Sequence, residues 1–269
     1  MKHLRAVCHI LLKISPAFLG PIFLLYPAPS ESPFAYFESY ILFLIFLLAC
    51  YLMLNSGKRI SPNLTKTKRF FFTGYTLISL FAILASLTLL RERVPLEIFV
   101  LAPIILALAS IRDFFIRFDK IAVGFLLETA CFLSIGLLSC SLYIAEIRWQ
   151  AVLISLAIAL QVISSSLANY IHSRFESAEY TSEGERKTLA KKSLVSLYTV
   201  CISFPAVIIA SLAYTSELSH NYLAVLATLF FSSKLIVQLR DNSIDTRFQL
   251  KTDLIGLLFM ILCFAAGLI

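Results

Sequence analysis

Two acidic residues near the middle of the chain have the spacing of a metal-binding pair. Glu176 and Glu179 lie three residues apart, so a helical backbone would place both carboxylates on one face. Mg²⁺ prefers oxygen ligands and commonly bridges one or two protein carboxylates to the phosphates of a substrate. The pair therefore predicts a magnesium site for a phosphorylated substrate. A solvated acidic face is the alternative interpretation.

Basic residues lie close to this pair in sequence and in a second polar segment, residues 55–69. Arginine is a good bidentate ligand for phosphate, so these side chains could hold a diphosphate even without a metal ion. The alternative is that they mark only the cytoplasmic side of a membrane protein. The candidate diphosphate-binding residues are Lys58, Arg59, Arg117, Lys120, Arg186 and Lys187.

Three further polar residues lie either at the end of an apolar stretch or within one. Asn55 and Asn169 each end such a stretch, and Glu128 lies about 10 Å inside another by the rise of a helix. An acid at that depth is a functional candidate, as a metal ligand, a proton acceptor or a partner of Lys234. A protonated carboxyl that is hydrogen-bonded, for example to Gln161, is the other possibility.

The composition indicates the class of protein. Of the 269 residues, 59% are hydrophobic and 14% are charged, which is too little polar surface for a soluble globule. A membrane span needs about 20 apolar residues and must be helical, because lipid satisfies no backbone hydrogen bonds. We therefore predict an all-α polytopic membrane protein, with residues 1–269 in one domain. The nine predicted spans are 6–26, 38–56, 70–90, 95–111, 121–144, 150–169, 194–214, 221–238 and 253–269.

The basic residues also predict the orientation. With the N-terminus in the cytoplasm, 19 of the 23 Lys and Arg residues fall in cytoplasmic segments, which is the bias of the positive-inside rule. This favours nine spans with the N-terminus inside and the C-terminus outside. It also places residues 55–69 and 170–193 in the cytoplasm. Topology and attraction to anionic lipid account for the net charge of +7, so no nucleic-acid partner is expected.

Two other groups of reactive residues are interpreted as structural. The six cysteines all lie in apolar stretches without metal-ligand spacing, so we expect small buried side chains. Asp241 and Asp245 form an Asp-x-x-x-Asp pattern between the last two predicted spans. We interpret this pair as a solvated turn at a helix end.

Four stretches of the chain follow the order of landmarks in a known family. Lys13–Gly20 is a basic, proline-containing approach to a glycine, Leu48–Asn55 ends an apolar helix in asparagine, and Arg117–Gly124 is a basic approach to another glycine. The fourth, Ala151–Asn169, is followed by the acidic cluster and then by Arg-Lys-Thr-Leu-Ala at 186–190. Together these features resemble the UbiA superfamily of intramembrane prenyltransferases, most closely its menaquinone-type (dihydroxynaphthoate) branch.

The resemblance implies a fold, a reaction and a location. It implies nine helices around a central cavity, with the active site under the cytoplasmic loops after helices 2 and 6. The implied reaction transfers a polyprenyl group from a prenyl diphosphate to an aromatic quinone precursor, with Mg²⁺, in a bacterial cytoplasmic membrane. Its oligomeric state is left open. The candidate catalytic residues are Asn55, Glu128, Asn169, Glu176 and Glu179, of which Glu176 and Glu179 would bind the metal.

The chain also departs from the family pattern. The aspartates of the first family motif fall on Ser56, Arg59 and Asn63, and the second motif is represented only by glutamates. An alternative function is therefore kept: a non-catalytic membrane protein that binds an isoprenoid or quinone, or assists a partner complex. A transporter is the third alternative. Transporters often have matched pairs of interrupted helices, and Pro16, Pro103 and Pro205 do not form such pairs, so the sequence disfavours it.

Overall fold

A computed structural model describes residues 2–18, 41–46, 48–49, 66–91, 121–141, 149–179, 192–241, 243–245 and 247–268. Within these residues, all regular secondary structure is helical, as the composition predicts. Residues 41–46 and 48–49 are helical as well. The α-helices are α1 (Lys2–Ile14), α2 (Lys66–Arg91), α3 (Ile121–Ser141), α4 (Trp149–Glu179), α5 (Lys192–Tyr214), α6 (Ala227–Arg240) and α7 (Phe248–Leu268), with 3-10 helices at Ser15–Phe18 and His220–Leu226.

Five helical segments in the described part of the chain are long and apolar enough to cross a membrane, which is consistent with an integral membrane protein. A shorter apolar helix, Leu77–Ser86, lies within α2. The predicted span 95–111 lies outside the described residues, so the count of nine stays a prediction. The five segments are Val123–Cys140, Trp149–His172, Leu194–Tyr214, His220–Arg240 and Phe248–Ala266.

The chain divides into two compact units, which are described separately. The first comprises Met1–Pro27 and Ile147–Ile269. In it, α4 packs mainly against α5 and α7, and α7 packs in turn against α1 and α6. Helix α4 is the most deeply buried of the five segments, and its core side chains include the fully buried Ile158, Ile163 and Leu167. This bundle positions His9 on α1, Ser165 on α4 and Asp253 on α7.

The second unit, Ala28–Glu146, contains α2 and α3. On α3, Phe125 is 2% exposed and Glu128 is 5% exposed. Two further buried aromatic residues, Phe43 and Phe46, lie on the helical residues that precede α2. The apolar surroundings of α3 are those expected of a membrane span, and Glu128 is the buried acid within it.

Helix α4 is longer than its predicted span. The sequence predicts a helix over 150–169 followed by a polar loop, whereas α4 runs without interruption from Trp149 to Glu179. No proline or glycine occurs between Trp149 and Glu183, so nothing in the local sequence breaks the helix. The consequence is that Asn169, Glu176 and Glu179 all lie on one continuous element.

The first and last helices also differ from their predicted spans. Helix α1 ends at Ile14 and continues as a 3-10 turn that contains Pro16, whose ring and missing N–H do not fit a helix interior. Helix α7 begins at Phe248, five residues before the predicted span, so Asp253 lies inside a helix rather than at its end. Asp245 stabilises this earlier start, because its Oδ1 accepts a hydrogen bond from Arg247 N at 3.0 Å.

Candidate functional site

Helices α1, α4 and α7 meet at three polar side chains, which we call the His–Ser–Asp cluster: His9, Ser165 and Asp253. The Ser165 hydroxyl donates a hydrogen bond to Asp253 Oδ1. His9 Nδ1 lies 2.8 Å from Ser165 Oγ and 3.8 Å from Asp253 Oδ1. Because Ser165 already donates to the carboxylate, its oxygen accepts a hydrogen bond from His9 Nδ1. The serine therefore bridges an imidazole and a carboxyl group.

The cluster is buried to different degrees along its length. Asp253 and Ser165 are fully buried, whereas the His9 side chain is 22% exposed. Asp253 lies about 8 Å along α7 from Phe248 by the rise of a helix, within the segment that can cross a membrane. An isolated carboxylate at such a position is strongly destabilised unless it is paired or protonated.

A second polar contact adjoins the cluster. The Tyr198 hydroxyl of α5 lies 2.7 Å from Thr252 Oγ1, next to Asp253 on α7. The Tyr198 ring also packs against Phe248, with 5.3 Å between ring centroids. Tyr198 is fully buried, so its hydroxyl needs such a partner. Helix α5 is thereby joined to α7 beside the buried acid.

One helical turn further along, α7 passes very close to α1 and α4. A Cβ atom on Gly256 would lie 2.8 Å from Leu12 Cδ2 and 3.2 Å from Gln161 Nε2, so glycine permits this close approach. Gln161 is 1% exposed. Neither its Nε2 nor Asp253 Oδ2 makes a hydrogen bond with any described residue. The cluster thus contains a buried acceptor, and Gln161 beside it a buried donor, that are not satisfied by the described part of the protein.

Helix α4 carries a line of polar residues that connects this cluster with the predicted metal-binding pair. Successive members are four, four, three, four and three residues apart, which confines them to an arc of about 80° on the helix surface. Gln161, Ser165 and His172 are buried, and Asn169 is exposed. We call this line the polar stripe: Gln161, Ser165, Asn169, His172, Glu176 and Glu179.

The structure positions some of the sequence-predicted site residues. Asn169 lies on α4 and Glu128 on α3, and each makes at least one interaction. Glu176 and Glu179 lie on the last turns of α4, so the helical backbone that would place them on one face is present, although their side chains are outside the described residues. The predictions for Asn55, Lys58, Arg59, Arg117, Lys120, Arg186 and Lys187 also lie outside the described residues.

The predicted metal site stays a prediction. Among the described side chains, no group of three or more His, Cys, Asp or Glu residues could hold a metal ion. The side chains of Glu176 and Glu179 do not belong to that set. Five of the six cysteines are buried free thiols, as predicted, and Cys50 lies outside the described residues.

Two charged residues near the ends of predicted spans have structural partners. Asp245 Oδ2 lies 2.5 Å from Lys251 Nζ, which fits the interpretation of this acid as part of a helix-end turn. The Lys234 side chain is exposed, and its Nζ lies 4.6 Å from the Phe230 ring centroid. A cation–π contact of this kind stabilises a lysine near the end of a span.

Sequence reasoning did not identify the His–Ser–Asp cluster. The available signals were a histidine in the apolar first helix, a run of three serines at 164–166, and an acid at the start of the last predicted span. Each signal is weak by itself, since histidine and serine are common in buried helices. Only their convergence indicates a site.

The described helices define the class: an all-helical protein with five segments long and apolar enough to cross a membrane, and with a polar cluster among its helices. Comparison with known proteins finds no matching family model, no matching curated protein and no matching solved structure.

Proposed function

We propose that this chain is a UbiA-like prenyltransferase of a bacterial cytoplasmic membrane, with nine spans, a cytoplasmic N-terminus and an external C-terminus. It would transfer a polyprenyl group from a prenyl diphosphate to an aromatic quinone precursor. The resemblance of the sequence motifs motivates this proposal. The observation that supports it is the unbroken helix α4, which carries Asn169 and the two glutamates on one face.

The residues on α4 fit the needs of the reaction. When the allylic C–O bond of a prenyl diphosphate breaks, the leaving pyrophosphate gains negative charge. Glu176 and Glu179 share a face of a continuous helix, so they would hold an Mg²⁺ that neutralises this charge. Arg186 and Lys187 follow in sequence and would contact the phosphate oxygens. The apolar helices would exclude water while the aromatic ring attacks the allylic carbon and then loses its proton.

The proposal is tested with the full chain in lipid nanodiscs. Farnesyl diphosphate is supplied with a naphthoate or hydroxybenzoate acceptor and Mg²⁺, and the prenylated product is measured by mass spectrometry. We expect Glu176→Gln and Glu179→Gln to lower the rate about 10- to 100-fold, as loss of metal-positioning groups commonly does. Glu217→Gln is the matched control, because Glu217 is an exposed acid at the other end of the bundle. Absence of product with every acceptor would refute the transferase.

A second candidate is a protein that binds an isoprenoid or quinone without transferring it. It is favoured by an apolar groove of about 470 Å³ beside α5, lined by Val207, Ala210, Tyr214 and Leu223 among others. Val207 also lines a neighbouring groove of about 300 Å³. Apolar concave surfaces with a few polar groups are typical binding sites for such ligands.

The two candidates give different results in a binding experiment. For the binding protein, we expect a labelled quinone to bind in the presence of EDTA and without formation of any product. Val207 lines both grooves, so Val207→Trp would obstruct them and reduce binding. Val237→Trp, at an exposed position on α6 that does not line these grooves, would leave binding unchanged. Equal binding by both variants would exclude the grooves as the ligand site.

A further inference from the structure

We propose that His9, Ser165 and Asp253 form an intramembrane proton-binding site, in which one proton passes between the imidazole and the carboxyl group through the Ser165 hydroxyl. The three groups come from α1, α4 and α7 and are in direct hydrogen-bond contact. The site is independent of the proposed prenyl transfer. It lies about 16 Å along α4 from Glu176, by the rise of the helix.

The proton transfer can be written with all atoms accounted for. In the charged state, His9 is an imidazolium and Asp253 is a carboxylate. The Nδ1–H bond breaks and its proton joins Ser165 Oγ, while the Ser165 O–H bond breaks and that proton joins Asp253 Oδ1. The result is a neutral imidazole, an intact hydroxyl and a carboxylic acid. The reverse transfer restores the ion pair, and no other reactant is needed.

Burial explains why the site must hold a proton. An ionised carboxylate can accept about four hydrogen bonds. The fully buried Asp253 accepts one from Ser165, and its Oδ2 accepts none from the described residues. A negative charge there would be poorly compensated without either a protonated His9 or a proton on the carboxyl itself. One proton shared by His9 and Asp253 compensates the buried charge in either position: on the imidazole it forms an ion pair, and on the carboxyl group it removes the negative charge.

The geometry favours a proton over a metal ion. His9 Nδ1 and Ser165 Oγ are 2.8 Å apart, which is a direct hydrogen-bond distance with no room for a cation between the atoms. The cluster contributes one carboxylate, one hydroxyl and one imidazole, and no set of three or more His, Cys, Asp or Glu residues that could hold a metal ion is found among the described residues. Chains of Asp, Glu and His inside membrane helices are the usual composition of proton relays.

The relay has an exposed end and a buried end. His9 is partly exposed, whereas Asp253 is fully buried and accepts its one side-chain hydrogen bond among the described residues from Ser165. Cys8 of α1 and Tyr198 of α5 also interact electrostatically with Asp253. His172 on α4 is buried. Of the other described titratable residues on the elements packed against α7, Cys201 and Tyr222 are buried, Lys13 and Tyr170 are half-buried, and Tyr214, His220, Lys234 and Arg240 are exposed.

Infrared spectroscopy of the full chain in nanodiscs, with ¹³C-labelled aspartate, tests the proposal. In the wild type, we expect a carboxylate signal from Asp253, because the pair shares one proton and Asp253 Oδ1 accepts a hydrogen bond from the Ser165 hydroxyl. His9→Gln removes the imidazole, so the proton must lie on Asp253. This variant should gain a protonated-carboxyl band that is lost again when Asp253→Asn is added. Asp245→Asn is the control, since Asp245 is a partly exposed partner of Lys251, and it should leave the Asp253 signals unchanged.

The bridging serine provides an independent test that does not require loss of the acid. Ser165→Ala removes the path between the two groups and the hydrogen bond to the carboxylate, so Asp253 should give a protonated-carboxyl band that the wild type lacks. Ser165→Thr keeps a hydroxyl and should restore the wild-type behaviour. Identical spectra for the wild type and the alanine variant would overturn the relay, and so would absence of the carboxyl band in the His9→Gln variant. Circular dichroism and size-exclusion chromatography confirm that each variant is folded.

Discussion

The hydroxyl groups of Tyr198 and Thr252 lie 2.7 Å apart, and this contact joins α5 to α7 immediately before the buried Asp253. Tyr198→Phe removes the hydrogen bond but keeps the ring that packs on Phe248. We predict a loss of about 1 kcal/mol in the free energy of unfolding, since Thr252 still donates to Phe248 O at 3.1 Å.

Denaturant titration of the nanodisc-reconstituted protein measures this loss. Tyr214→Phe is the matched control, because Tyr214 is 84% exposed, and it should change the stability by less than the experimental error. An equal effect of both substitutions would show that the Tyr198–Thr252 contact does not stabilise the bundle.

Gly256 provides a second prediction about packing. A methyl group there would meet Leu12 Cδ2 at 2.8 Å and Gln161 Nε2 at 3.2 Å, so Gly256→Ala requires either a shift of the buried Leu12 side chain or a movement of α7. We expect destabilisation of about 1–3 kcal/mol, the usual effect of an overpacked core. Gly74→Ala on α2 is the control: its Cβ meets nothing within 4 Å, and the better helix propensity of alanine should leave stability equal or slightly higher. Thermal unfolding compares the two variants.

The hydrogen bond between Ser165 and Asp253 predicts that substitutions at these two residues have strongly coupled effects on the free energy of unfolding. Ser165→Ala and Asp253→Asn each disturb the same buried contact, so their effects on stability should not add. We expect a double-mutant cycle to give a coupling energy of about 1–3 kcal/mol. A cycle of Ser165→Ala with Asp245→Asn should give a value near zero, because Asp245 contacts Lys251 instead. Additive effects at Ser165 and Asp253 would contradict the contact.

The predicted orientation can be tested by cysteine labelling of intact cells. Single cysteines at positions 62 and 182 should react with a membrane-impermeant maleimide only after the cytoplasmic side is opened. A cysteine at Thr215 should react from outside, since this exposed turn follows α5 at the opposite end from residues 170–193. Labelling of position 62 or 182 from outside would contradict the predicted topology.

The length of α4 illustrates how far local sequence predicts the structure. The absence of proline and glycine up to Glu183 is sufficient to allow a helix through Glu179, but hydropathy ends the predicted span at Asn169. Apolar length reports where a helix leaves the lipid and not where its backbone hydrogen bonds stop. The spacing of Glu176 and Glu179 therefore predicts that they share one face of the helix. It does not predict which residues of the neighbouring helices lie opposite the buried Ser165.

By itself, the sequence determined that the protein is helical and suited to a membrane, because lipid leaves backbone groups no partner outside their own helix. Only the tertiary structure decided that His9, Ser165 and Asp253 meet, since 156 positions separate the first two and 88 the last two. Each residue has an ordinary local context, and its partner depends on how three helices rotate and cross. The physical reason is that van der Waals packing sets these rotations: the close approach at Gly256 allows α7 to bring Asp253 to the serine of α4 and the histidine of α1.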